Sequence, residues 1–214
     1  MTALSDNLPA TRGEQLTANQ ALALLMTETK GEALRLLLEG VLSARTPGGL
    51  QALSATLTRP ANTTAYAQYD LVADSTSAAA ATPILNAVRA AGECFRWEGA
   101  RLRTPNPAAK GKTFRLHLWR TLPTLTVQDN GIFNPTGAGV LTVSDIAGYV
   151  GYVDVTLTEA GVAGASGRGD LAGARTATPS SGTSLWVTVE QRDAAGYTPV
   201  SAEAFSIVLE GQWS

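Results

Sequence analysis

TFRLHLWRTLPTLTVQDNGIFN, residues 113–134, decides the fold class. In its first half Phe114, Leu116 and Leu118 alternate with Arg115, His117 and Trp119. Successive side chains of an extended chain point to opposite faces, so this spacing gives one apolar face and one mostly polar face. The second half runs into turn formers and reaches Asp129-Asn130-Gly131. Asn tolerates the left-handed region and Gly supplies positive φ at no steric cost, so a turn is expected there. The hydrophobic period is two, the signature of a half-buried strand.

The same period recurs on either side. Leu53, Ala55 and Leu57 alternate with Ser54, Thr56 and Thr58. Val153, Val155 and Leu157 form a second set, Leu185, Val187 and Val189 a third, and Phe205, Ile207 and Leu209 a fourth. Further strands are expected around residues 70–73, 84–89 and 94–102. One apolar face per strand points to antiparallel sheets packed on one side. The expectation is a mainly β protein: an antiparallel β-sandwich of jelly-roll-like form over residues 51–214. A Greek-key sandwich is the rival, because periodicity does not fix strand order. Residues 161–183, GVAGASGRGDLAGARTATPSSGT, read as a long Gly-rich loop, and residues 105–111 as a shorter exposed one.

Residues 1–50 follow a different rule. Residues 1–15 carry Pro9 and Gly13 without periodicity and read as an extended arm. Thr17-Ala18-Asn19-Gln20 and Thr29-Lys30-Gly31-Glu32 fit capping boxes. Leu22, Leu25 and Met26 follow the first box. Leu34, Leu37, Leu38 and Val41 follow the second at i, i+3, i+4, i+7. Two short helices, or one bent near Gly31, are expected before Pro47-Gly48-Gly49 ends the segment. Helices this short need burial elsewhere. Leu34, Leu37, Leu38 and Val41 are therefore the candidate subunit-contact residues of an N-terminal helical arm.

Composition narrows the function. The 214-residue chain is 44% hydrophobic and 16% charged, against about 25% charged residues in an ordinary globular domain. Its surface must rely on Thr, Ser, Ala, Gly and Asn, as surfaces covered by neighbouring copies do. The formal net charge of −2 lacks the basic footprint that phosphate neutralisation needs, so no nucleic-acid partner is expected. The apolar run at residues 21–26 falls far short of the ~20 residues that span a bilayer, so no membrane partner is expected either. MTALSDNLPATRGEQ has neither a basic start nor an apolar centre; it reads as no secretory signal, and assembly in cytoplasm is expected. The single cysteine, Cys94, rules out an intrachain disulfide and a thiolate metal cage.

No catalytic constellation stands out, and neither a metal nor a cofactor is expected. Gly111-Lys112-Thr113 ends like a phosphate-binding loop, but Asn106 occupies the position that needs glycine, and a strand follows where a helix is needed. Arg168-Gly169-Asp170 reads as a solvated stretch of the Gly-rich loop. His117, the only histidine, falls on the outward face and reads as a surface or interface residue. Asp70, Asp74, Asp129 and Asp145 could pair as glycosidase carboxylates, though their spacing does not require it. Trp97, Trp119, Trp186 and Trp213 could line a sugar cleft, but packing is the commoner fate of tryptophan.

Several stretches carry a resemblance. They are Thr58-Arg59-Pro60-Ala61-Asn62-Thr63-Thr64-Ala65-Tyr66, Asp70-Leu71-Val72-Ala73-Asp74, Phe114-Arg115-Leu116-His117-Leu118-Trp119, Pro123, Asp129-Asn130 and Tyr149-Val150-Gly151. Together they resemble structural proteins of tailed-bacteriophage virions, and among them jelly-roll capsid decoration (cement) proteins. The resemblance implies a non-enzymatic virion protein that binds and stabilises the major capsid protein or other virion subunits. It implies a homo-oligomer, with a trimer favoured. It carries over no catalytic residue. The alternatives are a tail or head–tail structural protein with a host-receptor or glycan-binding role, and a virion glycosidase.

Overall fold

Strands form where the apolar alternation predicts them, and their inward sets meet in one core, but the strand expected around residues 84–89 stops at Ile84 and gives way to turns. The computed structural model describes residues 49–77, 80–133, 143–161 and 163–213. The helical arm expected before Gly49, with Leu34, Leu37, Leu38 and Val41, lies outside the described residues. The strands are β1 (Gln51–Thr58), β2 (Leu71–Val72), β3 (Thr82–Ile84), β4 (Phe95–Thr104), β5 (Thr113–Trp119), β6 (Tyr149–Thr156), β7 (Glu159–Gly161), β8 (Gly164–Ala177), β9 (Leu185–Gln191) and β10 (Ala204–Trp213). A 3-10 turn at Pro107–Ala109 and a short helix α1 (Val143–Gly148) complete the described elements. No periodicity announces α1.

The strands pair antiparallel into two sheets. One runs β1-β10-β4-β8-β7 and the other β2-β9-β5-β6, with β3 also paired to β9. The sheets face each other as a β-sandwich. Phe95, Trp97 and Leu102 of β4 and Phe205, Ile207 and Leu209 of β10 share one cluster with Phe114, Leu116 and Leu118 of β5 and Val187 and Val189 of β9. The rings of Phe114 and Phe205 meet across the layers at 5.4 Å. The parity expected for β5 and β10 holds, with all six inward residues fully buried.

Residues 161–183 correct the sequence reading, because they do not form a loop. Most of the stretch is the long strand β8, paired to β4 from Ala165–Thr104 to Ala177–Phe95. Its glycines answer to packing. Ala165, Gly167 and Gly169 alternate inward, with Ser166, Arg168 and Asp170 outward. A Cβ on Gly167 would lie 2.0 Å from the Thr156 carbonyl oxygen, and one on Gly169 2.1 Å from that of Asp154. Both oxygens belong to β6 of the opposite sheet. The two sheets therefore close on each other, backbone to backbone, along the β6/β8 edge, and only glycine fits there. Residues 105–111 are likewise less open than expected, since Asn106 and Ala109 are buried.

Gly167→Ala tests this closure. The obstructing atom is backbone, which cannot swing aside. The substitution should destabilise the domain by about 3 kcal/mol, the upper end of the overpacking range, as measured by denaturant unfolding.

Candidate functional site: buried polar networks and the two outer faces

Inward parity extends past the end of β1 to Arg59, which a charged residue can occupy only with partners. Its side chain is fully buried. The guanidinium has five N–H donors, and it makes five hydrogen bonds. Nε donates to the Tyr66 hydroxyl at 2.6 Å. Nη1 donates to the carbonyls of Asn62 and Val200 at 2.9 and 3.2 Å. Nη2 donates to Asn62 Oδ1 and Asp129 Oδ2 at 3.2 and 3.1 Å. Asp129 Oδ1 accepts from the Tyr66 hydroxyl and, at 3.0 Å, from the Ala73 amide. Burial, and then the bond to Asp129, push the Tyr66 phenol far above its ordinary range. It stays protonated and relays between cation and anion. Asn130 turns the chain beside it at φ 63°, as the turn reading requires.

A second network lies at the same end. Inward parity extends before β10 to Glu203, which is 1% exposed. Its Oε1 accepts from the Thr104 and Tyr197 hydroxyls. Its Oε2 accepts from Asn106 Nδ2 at 3.3 Å and the Val200 amide at 2.9 Å. Burial and the Glu203 carboxylate hold the Tyr197 phenol protonated. The networks join through the stacked, near-parallel rings of Tyr66 and Tyr197, 6.3 Å apart, and through the Arg59 amide, which donates to the Glu203 carbonyl at 3.0 Å. Together they tie down the chain leaving β1, β4 and β9 and the chain entering β2 and β10.

The outer face of the second sheet corrects the reading of His117. It does face away from the main core, as parity requires, but it is not a surface residue. A smaller apolar cluster of Leu71, Ala73, Ala81, Trp119, Leu125 and Phe133, with Val127, Tyr149 and Trp186 against it, covers part of this face. His117 sits among the Phe133, Tyr149 and Tyr152 rings at 5.0, 5.8 and 6.1 Å. Its Nε2 lies 2.8 Å from Glu190 Oε2 and its Nδ1 3.0 Å from the Tyr149 hydroxyl. A neutral ring satisfies both by donating from Nε2 and accepting at Nδ1. Burial lowers its pKa, with Glu190 pulling the other way. The hydroxyl it touches belongs to Tyr149, whose pKa is pushed up to about 12 by burial. The pair is thus no activated nucleophile. Beside it Arg115 grips Asp154 through two bonds of 2.7 and 2.8 Å and lies 3.7 Å over the Tyr152 ring.

The outer face of the first sheet is different. Ala52, Ser54, Thr56 and Thr58 of β1 continue into Ser206 and Val208 of β10, an outer face of mostly small side chains. Ala52 and Val208 reach the wall of an open groove, whose other lining includes Arg101, Arg103, Arg168, Glu159 and Glu210. Glu210 is held by Arg101 at 2.5 Å and by Arg168 at 2.7 Å. Arg168-Gly169-Asp170 therefore lies within a paired strand, and Arg168 is engaged by Glu210 and by Asp170 at 3.0 Å.

Each of the four aspartates is engaged by the chain itself, and Asp70 and Asp129 lie close enough to interact. Asp129 is consumed by Arg59 and Tyr66. Asp145 of α1 accepts from the Thr124 amide at 2.9 Å. Asp74 accepts from the Ala80 amide at 3.4 Å. Asp70 accepts from the Ala67 amide at 2.6 Å, and burial raises its pKa. Trp97 and Trp119 are buried, and Trp186 and Trp213 are half-buried against the apolar clusters. Among the described residues no group of three or more His, Cys, Asp and Glu side chains could hold a metal, and no helix is long and apolar enough to cross a membrane. Arg59, Asn106, Tyr197 and Glu203 are absent from the sequence-derived candidates. For Arg59 and Glu203 the signal was a charge at an inward-parity position one residue beyond an apolar strand; Asn106 and Tyr197 carried no such signal.

No protein-family model matches the chain, and no curated protein matches it. Among solved structures, a chain from Desmodium yellow mottle tymovirus is similar at 11% identity. The likeness covers 78% of this chain and 87% of that one at a TM-score of 0.23, too distant to transfer fold or function.

Two expectations follow. Asp129→Asn leaves the Arg59 charge buried without its counter-ion, and should cost about 3–5 kcal/mol in urea unfolding. His117 has a folded pKa below its ordinary value of about 6.5, so the stability it contributes is present above that value and is lost as pH falls through the lowered one. Asp70, with a raised pKa, works in the opposite direction: its contribution is present at acid pH and lost as pH rises through the raised value. Unfolding free energy should therefore fall on acidification below about pH 6.5, and His117→Gln should flatten that limb of the curve.

Proposed function

We propose that this protein is a non-enzymatic structural subunit of a tailed-bacteriophage virion, a jelly-roll capsid decoration protein that braces neighbouring capsid subunits. The observation that carries the reading is the strand order. β1-β10-β4-β8 faces β2/β3-β9-β5-β6, with the first and last strands adjacent, the order of two Greek keys wound into a jelly roll. That architecture builds viral shells, and also lectins and cupins, so topology alone does not choose. The side chains favour assembly. His117, Asp129, Glu190 and Glu203 are each engaged by internal partners. The β1/β10 face offers small, mostly exposed side chains beside an arginine-lined open groove. Small exposed side chains of this kind suit a broad protein neighbour better than a small substrate, which favours an enclosed, largely apolar pocket.

In this reading the partners are the major capsid protein and further copies of the chain. Leu34, Leu37, Leu38 and Val41 of the arm dock on a neighbouring subunit. Pro47–Ser214 is a compact unit by its own contacts, which supports treating the arm as a separate attachment element.

Removing residues 1–45 should leave a folded, soluble β domain with a cooperative thermal transition. That domain should no longer co-sediment with the particle's capsid shells, whereas the full chain should. Co-sedimentation of the truncated protein at full-length affinity would remove the arm from the contact. Failure of the full chain to bind shells at all would overturn the capsid reading.

A further inference from the structure

The two long edges of the sandwich are built differently. The β6/β8 edge is closed by the backbone contact at Gly167 and Gly169. At the opposite edge β1 pairs with β10 on one side only, and among the described residues nothing pairs with its other side. A bare edge presents a row of unpaired N–H and C=O groups, and proteins guard such edges with charge, proline, bulges or shortness. The other outer strands carry those guards. β7 has three residues and begins with Glu159. β3 has three and contains Pro83. β2 has two. β6 carries Asp154 and a register shift against β5. β1 has none of these. It reads QALSATLT, holds an unbroken register with β10 over Gln51–Thr58, and contains no charge, proline or glycine.

The side chains at this edge are unfinished as well. Leu57 is buried, but Leu53 and Ala55 are only partly covered at the margin of the core. Leu50, just before β1, is 78% exposed, and Leu85, just after β3, is 67% exposed. An extended backbone is the chemistry that satisfies the row of polar groups, and an apolar side chain on the inward face is what the seam lacks.

We propose that β1 is a self-association edge: two copies pair β1 to β1, antiparallel about a two-fold axis, into one continuous sheet. An isologous contact is favoured because a second β1 is the long, uncharged, unguarded edge available to match the first. Directly opposed residues of an antiparallel pair share a face. Because the inward residues are Leu53, Ala55 and Leu57, the axis must pass through a residue. Either Ser54 stands opposite Ser54 or Ala55 opposite Ala55. Each register buries Leu53 and Ala55 from both copies in one seam and extends the outer face of small side chains across two molecules. Residues 17–41 of the arm compete poorly for this edge, since their apolar residues follow the helical period. The inference deepens the assembly reading by naming the contact between copies. It joins them in pairs, in place of the three-fold arrangement that the resemblance implies.

The test uses the full chain. Sedimentation velocity should find the wild-type protein as a dimer. Ser54→Lys and Ser54→Glu, both on the exposed outer face, should each weaken self-association several-fold by bringing like charges together across the axis, with unchanged melting temperature. An equimolar mixture of the two should recover the dimer, which a misfolded variant would not. A wild-type monomer would overturn the inference. If its β1 amides were also protected from hydrogen exchange, the chain's own arm would be the occupant. A dimer indifferent to both substitutions would overturn it too, leaving the capsid reading to its own shell-binding measurement. Dimerisation that responds to charge without any shell binding would support the edge and sink the capsid reading.

Discussion

Arg59 sits where the sandwich would otherwise come apart at one end. A guanidinium fully removed from water is tolerable only if its charge is countered and every N–H has an acceptor. Both conditions hold, and the acceptors come from four places in the chain: Asn62, Tyr66, Asp129 and Val200. Those segments run between strands of both sheets. Once Arg59 is placed, the chain from β1 to β2, the turn before Asn130 and the entry to β10 have little freedom left. Glu203 repeats the logic with neutral donors, and the stacked tyrosines make the two networks one unit. Several residues of the stretches 58–66, 70–74 and 129–130, among them Arg59, Asn62, Tyr66, Asp70 and Asp129, lie in or beside this end. Their pattern thus has a structural cause that is independent of any catalytic role.

The edges divide the labour of the fold. Where β6 meets β8, the layers are sealed by glycine, and nothing further can be added to the seam. Where β1 runs, the backbone and several leucines are left uncovered among the described residues. A protein working alone gains nothing from such an edge and is exposed to aggregation by it. A protein working as one unit of an assembly can use it. The groove beside this face adds polarity to the same surface, because Arg101 and Arg168 are tethered by Glu210 and so hold a fixed arrangement.

The outer face of the second sheet shows how a covering segment changes chemistry. Parity alone would leave His117 in water, where it would titrate as an ordinary histidine. Burial among the Phe133, Tyr149 and Tyr152 rings favours the neutral ring, and the Glu190 contact fixes which nitrogen carries the proton. The ring becomes a packing and hydrogen-bonding element. A lone histidine with a carboxylate on one side and a high-pKa phenol on the other has no nucleophile to activate.

Much of this protein was legible in its sequence. Period-two alternation at Phe114–Leu116–Leu118 and Phe205–Ile207–Leu209 set the strands and their buried faces, because a pleated strand has no other way to sort its side chains. Asp129-Asn130-Gly131 announced its turn through residue chemistry. Charge at the inward-parity positions 59 and 203 could have announced the buried networks. What only the tertiary structure decided depends on contacts far apart in the chain. The glycines of residues 161–183 look like a loop until β6 is laid against them. The strand order needed the pairing of first and last strands, which no local period encodes. Asp129 met Arg59 only because 70 residues of intervening chain bring the two to one end of the sandwich, where a low-dielectric interior makes each indispensable to the other.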